Sequence, residues 1–234
     1  METSLAPIIQ YFAVTTLPIL FAITLHEAAH GWVADKKGDP TARQLGRITL
    51  NPLAHIDPFG TILLPLILLY VLPLLTGAPP LLFGYAKPVP VNFLRLRRPK
   101  ADMAWVAAAG PGMNFLLAFA SGIALRGLEM LYPLGSMSPL TPVFVVPLAQ
   151  MLQYSIKINT LLMVFNLIPI PPLDGGRVLV GILPTRQSSL LSSVEPFGMA
   201  LILLLVIADP LGLMRNLVNP LISFFLGFFY GFGL

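Results

Sequence analysis

Residues 7–33 read PIIQYFAVTTLPILFAITLHEAAHGWV, an apolar run that closes on His26-Glu27-Ala28-Ala29-His30. A helix needs about 20 mostly apolar residues to cross the hydrocarbon core of a bilayer, and the stretch ahead of His26 reaches that length. In a helix, positions i and i+4 share a face, so both imidazoles can reach one metal ion. Glu27 projects at an angle from that pair, where a carboxylate can take a proton from water that the metal activates. In a soluble helix this spacing is often only a solvated face. Coincidence is less readily invoked here, because the chain has 3 histidines in all. Ionisable side chains inside a span are also expensive and mark functional positions.

The remaining sequence supports a membrane setting. Its 234 residues are 56% hydrophobic and 10% charged, against about 25% charged in soluble domains. Mean hydropathy is +0.83. The length fits one integral-membrane domain over residues 1–234, with a catalytic core at about 7–180 and C-terminal helices at about 195–232. Cysteine is absent, which excludes disulfides and thiolate metal ligands. The basic residues behind the pI of 9.6 flank apolar runs, so no nucleic-acid partner is expected. The first run is longer than a signal-peptide core and lacks a basic start, so it is expected to stay uncleaved.

Further apolar segments cover about 61–76 (trailing to 83), 102–132, 143–168, 197–208 and 217–229. Lys36, Lys37, Arg43 and Arg47 follow the first run; Lys87, Arg95, Arg97, Arg98 and Lys100 precede the 102–132 segment; Arg177 and Arg186 follow the 143–168 segment. The positive-inside rule makes all three loops cytoplasmic. Segment 61–83 must then enter and leave on one face, as a re-entrant hairpin turning near Pro73, Gly77, Pro79 and Pro80. The alternative is one full span. The expected fold is an all-α polytopic membrane protein of about five to six transmembrane helices, with a re-entrant hairpin and short extended segments near the active site. Its N-terminus would lie outside the cell membrane and its active site toward the cytoplasm.

A catalytic zinc site usually has three protein ligands and water. Asp35 and Asp39 read as solvated charges in a basic loop. His55 and Asp57 lie in Asn51-Pro-Leu-Ala-His-Ile-Asp-Pro58, an interfacial turn by its prolines. Glu2, Glu129 and Asp209 map to the opposite side, while Asp102 and Glu195 read as helix-end charges. Asp174 follows the 143–168 segment in Asn166-Leu-Ile-Pro-Ile-Pro-Pro-Leu-Asp-Gly-Gly176, on the same side as His26. Asp before Gly-Gly is ordinarily a turn residue; sidedness makes it the best third ligand.

These segments resemble the site-2 protease family of intramembrane metalloproteases. The resemblance rests on His26-Glu-Ala-Ala-His30 and Asn166-x-x-Pro169-x-Pro171-x-x-Asp174-Gly175, with weaker support from Gly110-Pro-Gly-Met-Asn114 and Phe83-Gly-Tyr-Ala-Lys-Pro-Val-Pro90. It spans the chain from the first run through Arg177. It implies one Zn²⁺ on His26, His30 and Asp174, water activation by Glu27, and a substrate or oxyanion role for Asn166. Room for a PDZ or CBS domain is lacking, so the minimal bacterial or archaeal type is expected.

The reaction this predicts is hydrolysis of peptide bonds in or near transmembrane segments of membrane proteins. Asn166, then Asn114, are the candidate oxyanion donors; the alternative for either is a helix–helix hydrogen bond. Residues 85–91 read as extended, because residues before proline avoid the helical region. They could line a substrate groove or simply connect. Trp32 and Trp105 read as interfacial anchors. The competing readings are a non-proteolytic metal-binding scaffold or transporter, and a zinc protease acting on soluble peptides at the membrane surface; an intact Glu27 argues against the first.

Overall fold

The computed structural model describes residues 5–77, 84–132 and 141–231, and among these every regular element is helical. Helix α1 spans Leu5–Lys37. Its last turn carries Lys36 and Lys37, the favoured charge at that end of the dipole. Gly38, at φ +114°, then turns the chain back, so that Asp39 N–H meets the Ala34 carbonyl at 2.9 Å. A single turn, α2 (Thr41–Gln44), follows. Asp39, expected to be solvated, is instead fully buried and accepts hydrogen bonds from Thr41 N and Asn92 N at 3.1 and 2.6 Å. It ties the loop after α1 to the stretch before the next long helix.

Residues 58–76 form one helical run that mixes wide π-type turns (Pro58–Leu63, Ile67–Val71) with α3 (Leu64–Leu66) and α4 (Leu72–Thr76). The wide turns adjoin Pro65 and Pro73, which lack the N–H of an ordinary helical turn. Asp57 opens the run by accepting Gly60 N–H at 2.7 Å, and left-handed Gly77 closes it. Tyr85 N–H donates to the Gly60 carbonyl at 3.0 Å, and Thr61 Oγ1 donates to the Tyr85 carbonyl at 2.9 Å. The chain thus returns at Tyr85 to the place it left at Gly60. Pro79 and Pro80, where a turn was expected, lie outside the described residues, and Pro73 sits inside the helix.

Helix α5 (Pro99–Leu131) starts with proline at a position that needs no N–H. α6 covers Val146–Asn166. After an irregular, proline-rich link come α7 (Asp174–Ile182), α8 (Thr185–Ser192), α9 (Glu195–Ala208) and α10 (Asn219–Tyr230). Helices α7 and α8 had no counterpart among the apolar segments, being too short and polar to stand out. α5 is the central helix, packing on α1, α6 and α7. Ala118 and Leu125 of α5 join Ile156 and Met163 of α6 and Phe229 of α10 in the main core.

The three basic segments meet at one end of this bundle. Lys37 Nζ lies 3.2 Å from Asp102, the Lys37 carbonyl accepts Arg97 N–H at 3.0 Å, and Lys100 Nζ donates to the Leu183 carbonyl. Asp102, expected as a helix-end charge, does cap Arg98 N–H at 2.9 Å, yet it is buried. Trp32 and Trp105 are exposed at this end, each with a lysine ammonium 5.8 Å from its ring.

The outside of the bundle is apolar and its inside is partly polar. Phe21, Leu116, Ile123, Leu161, Ile207 and Phe224 are among many large apolar side chains left exposed, while Thr24, His26, Asn114, Asn159, Thr160 and Asp174 are buried. Water-soluble surfaces rarely carry apolar patches of that extent. Among the described residues, α5 alone is long and apolar enough to cross a membrane unaided, and α8 with α9, bent by 66°, pass together as a broken pair.

Candidate metal centre

His26 and His30 project from the same face of α1 toward α5 and toward the first residue of α7. His26 Nε2 lies 3.2 Å from Asp174 Oδ2, His30 Nε2 lies 3.4 Å from the same oxygen, and the two Nε2 atoms are 3.1 Å apart. Asp174 reaches this position because the link from Asn166 is folded tightly against the start of α7. A Cβ on Gly175 would lie 2.2 Å from the Leu167 carbonyl oxygen, and one on Gly176 would lie 2.2 Å from Pro171 N. Only glycine permits that approach, and it makes Asp174 the first residue of a helix rather than the turn residue that Asp-Gly-Gly ordinarily supplies.

The other nitrogen of each imidazole is already engaged. His30 Nδ1 is 2.7 Å from the Val106 carbonyl, and His26 Nδ1 contacts Asn114 Oδ1. A carbonyl oxygen only accepts, so His30 Nδ1 carries a proton, and in the neutral imidazole Nε2 presents a lone pair. Asn114 Oδ1 asks the same of His26. Two nitrogen lone pairs and a carboxylate oxygen therefore converge, and Asp174 Oδ2 is buried with no hydrogen-bond donor. With both imidazoles neutral, a metal cation held between these three atoms would satisfy them together. Neutral imidazoles with their far N–H groups fixed by oxygens are also the usual form of histidine metal ligands. The three side chains are the one group among the described residues whose donor atoms could jointly hold a metal ion. Nitrogen and oxygen donors suit zinc.

Glu27 is half-buried beside this cluster, and its Oε2 accepts the Val89 N–H at 2.8 Å. Residues 84–92 have no regular secondary structure, and several of their polar backbone groups are hydrogen-bonded. Lys87 N–H donates to the His55 carbonyl at 3.0 Å, and Arg47 Nη2 donates to the Lys87 carbonyl at 2.9 Å. His55 itself is buried in a short turn (Pro52–His55), its Nδ1 without a partner; burial holds its imidazole below the usual range.

Of the two asparagines singled out as oxyanion donors, Asn114 is at the cluster, with its oxygen toward His26 and its Nδ2 donating to Asn159 Oδ1 at 2.8 Å. It makes the helix–helix hydrogen bonds of the alternative reading. Asn166 Nδ2 donates to the Leu162 carbonyl of its own helix at 3.0 Å. Lys157 is exposed, 5.6 Å from the Tyr154 ring. Two contributors, the Val106 carbonyl and Asn159, escaped the sequence reading, and Gly110 was quoted only within a motif, not for the room its absent side chain leaves beside both imidazoles. Asn159 had a signal, a carboxamide inside an apolar segment; the Val106 carbonyl acts through backbone and has none.

The profile described as Peptidase family M50 matches residues 129–208, a stretch that includes Asp174. A Bacillus subtilis (strain 168) protein named "Putative zinc metalloprotease YwhC" is 36% identical over 212 residues, covering 86% of this chain and 85% of that one. The chain belongs to peptidase family M50. A second relative, "Putative zinc metalloprotease Rip2" of Mycolicibacterium smegmatis, is 28% identical over 192 residues, covering 82% of this chain and 66% of that protein. No solved structure matches significantly. The M50 assignment agrees with the resemblance to site-2 proteases drawn from the motifs, and it makes this chain a zinc metalloprotease. Its zinc requirement and the donor set of His26, His30 and Asp174 are consistent with each other.

Proposed function

We propose that this M50 peptidase hydrolyses peptide bonds in or near transmembrane segments of other membrane proteins, with His26, His30 and Asp174 as zinc ligands and Glu27 as the proton-transferring base. The observation that carries the reading is a buried two-nitrogen, one-carboxylate cluster inside a bundle whose outer surface is apolar. His30 lies six residues before Lys36, roughly 9 Å along the axis at about 1.5 Å per residue. That depth is below the basic end of the bundle, within reach of water from that side.

When bound, zinc supplies a Lewis acid that acidifies water and polarises a carbonyl. The protein's own residues do the rest. His26, His30 and Asp174 hold the donor geometry. Glu27, tethered through Oε2 to Val89 N–H, takes the proton from attacking water and delivers it to the leaving amine. Asn166 stands as the oxyanion donor in this scheme, Asn114 being turned to His26. Residues 85–91 line the approach to Glu27, where an unwound substrate segment would lie.

In the membrane, α1, α5, α6 and the C-terminal helices make a multi-pass domain of the cell membrane. The convergent basic end faces the cytoplasm and the N-terminus lies outside. Residues 61–83 are read as re-entrant, a reading supported by the Tyr85 N–H reaching the Gly60 carbonyl. The test is cleavage by purified protein in lipid vesicles of a reporter whose scissile site lies in a transmembrane segment, against the same sequence as a water-soluble peptide. Zinc-dependent cleavage of the membrane reporter is expected. Cleavage of the soluble peptide alone would instead mark a surface protease.

A further inference from the structure

The two histidines owe their metal-ready form to different devices. For His30 it is a backbone carbonyl, Val106, which can only accept. For His26 it is a side-chain carboxamide, and a carboxamide can point either its oxygen or its NH₂ at a neighbour. With NH₂ toward His26, Nδ1 would be the acceptor, Nε2 would carry the proton, and a ligand would be lost. Something must choose.

The choice is traceable to a backbone atom on another helix. Asn159 Nδ2 donates to the Ser155 carbonyl at 2.9 Å, one α6 turn away. That carbonyl only accepts, so Asn159 must turn its NH₂ there and its oxygen toward α5. Asn159 Oδ1 then receives Asn114 Nδ2 at 2.8 Å. Asn114 is left with its oxygen facing His26 Nδ1. Asn114 is 0% and Asn159 1% exposed, so water does not compete for either. A Ser155 Oγ···Ser121 Oγ contact at 2.8 Å braces the far end, where Ser155 Oγ also lies 3.2 Å from Asn159 Nδ2.

We infer that Asn159, which touches no ligand atom, is a positioning residue: with Asn114 it forms a directional relay from the Ser155 carbonyl across α6 and α5 that sets the proton of His26 on Nδ1 and leaves Nε2 for the metal. The inference rests on the zinc reading of His26. It extends the known importance of partners behind metal-bound histidines, whose loss costs about 10–100-fold in metal affinity, to a residue two hydrogen bonds away.

A double-mutant cycle tests it, because a carboxylate at position 114 accepts from His26 with either oxygen and needs no relay. Zinc affinity is measured by chelator competition for the full-length protein, Asn159→Leu, Asn114→Asp and the double variant, with Asn159→Ala in place of Asn159→Leu if the latter misfolds. Asn159→Leu is expected to weaken zinc binding about 10–100-fold, whereas in the Asn114→Asp background, where the new carboxylate faces the fixed Asn159 Oδ1, the same change brings no loss. Nitrogen-15 histidine spectra of the zinc-free protein give a second readout: His26 protonated on Nδ1 in the native chain, and a mixture of both tautomers in Asn159→Leu. Equal losses in the two backgrounds, or an unchanged tautomer in Asn159→Leu, would overturn the relay. A native protein that bound no zinc would instead overturn the metal reading, and the zinc-free spectra would still decide the relay.

Discussion

Glu27→Gln is expected to lower the rate of peptide hydrolysis by about 10²–10⁴-fold, the usual contribution of a positioned acid–base group, while leaving zinc content unchanged. The substitution is nearly isosteric, and the glutamine carbonyl can still accept the Val89 N–H that fixes Glu27 at 2.8 Å. Position is therefore kept and proton transfer is lost. No proposed zinc ligand is touched, since the donor atoms that could hold the metal belong to His26, His30 and Asp174. Single-turnover cleavage of a transmembrane reporter, with metal analysis of the same preparation, reads both quantities. A variant that kept native cleavage would remove Glu27 from the chemistry. A variant that lost its zinc would make Glu27 a structural support instead.

Gly110→Ala is expected to abolish zinc binding at micromolar concentration without unfolding α5. A Cβ built on Gly110 lies 2.4 Å from His30 Nε2 and 2.6 Å from His26 Nε2, so the new methyl group would occupy the ligands' own space. Both imidazoles are held from behind by Val106 and Asn114 and have little room to retreat. In the helix itself alanine is favoured over glycine by about 1 kcal/mol, so helical content and thermal midpoint should hold while the metal is lost. Gly112→Ala is the matched control: nothing lies within 4 Å of its added Cβ, and zinc binding should be native. Chelator competition and circular dichroism on the pair would settle whether the effect is local. Equal zinc affinity in both variants would contradict the packing of α5 against the cluster.

The long apolar elements were legible because apolar length alone specifies them. The runs expected at 102–132 and 143–168 emerge as Pro99–Leu131 and Val146–Asn166. The candidate ligands were legible for a related reason: a histidine pair at helical spacing is rare in an apolar chain, and Asp174 stood in a proline-broken segment on the same side. What could not be read lies in contacts between elements. Nothing local distinguishes Asp39 as buried, because its burial depends on Asn92 arriving from another segment. Asn114 looked like an oxyanion donor because its sequence neighbourhood says only that it is polar. Its partners, His26 and Asn159, are set by the packing of α1, α5 and α6. Short α7 carries Asp174 yet has too few apolar residues to be found by periodicity; its register is imposed by Gly175 and Gly176 against the preceding loop.

Zinc K-edge absorption of the purified protein tests the metal centre most directly. The structure predicts one zinc per chain with two imidazole nitrogens and at least one carboxylate oxygen, at about 2.0–2.2 Å, and loss of the carboxylate contribution in Asp174→Ala. Zinc bound without imidazole scattering, or a spectrum unchanged by Asp174→Ala, would contradict it.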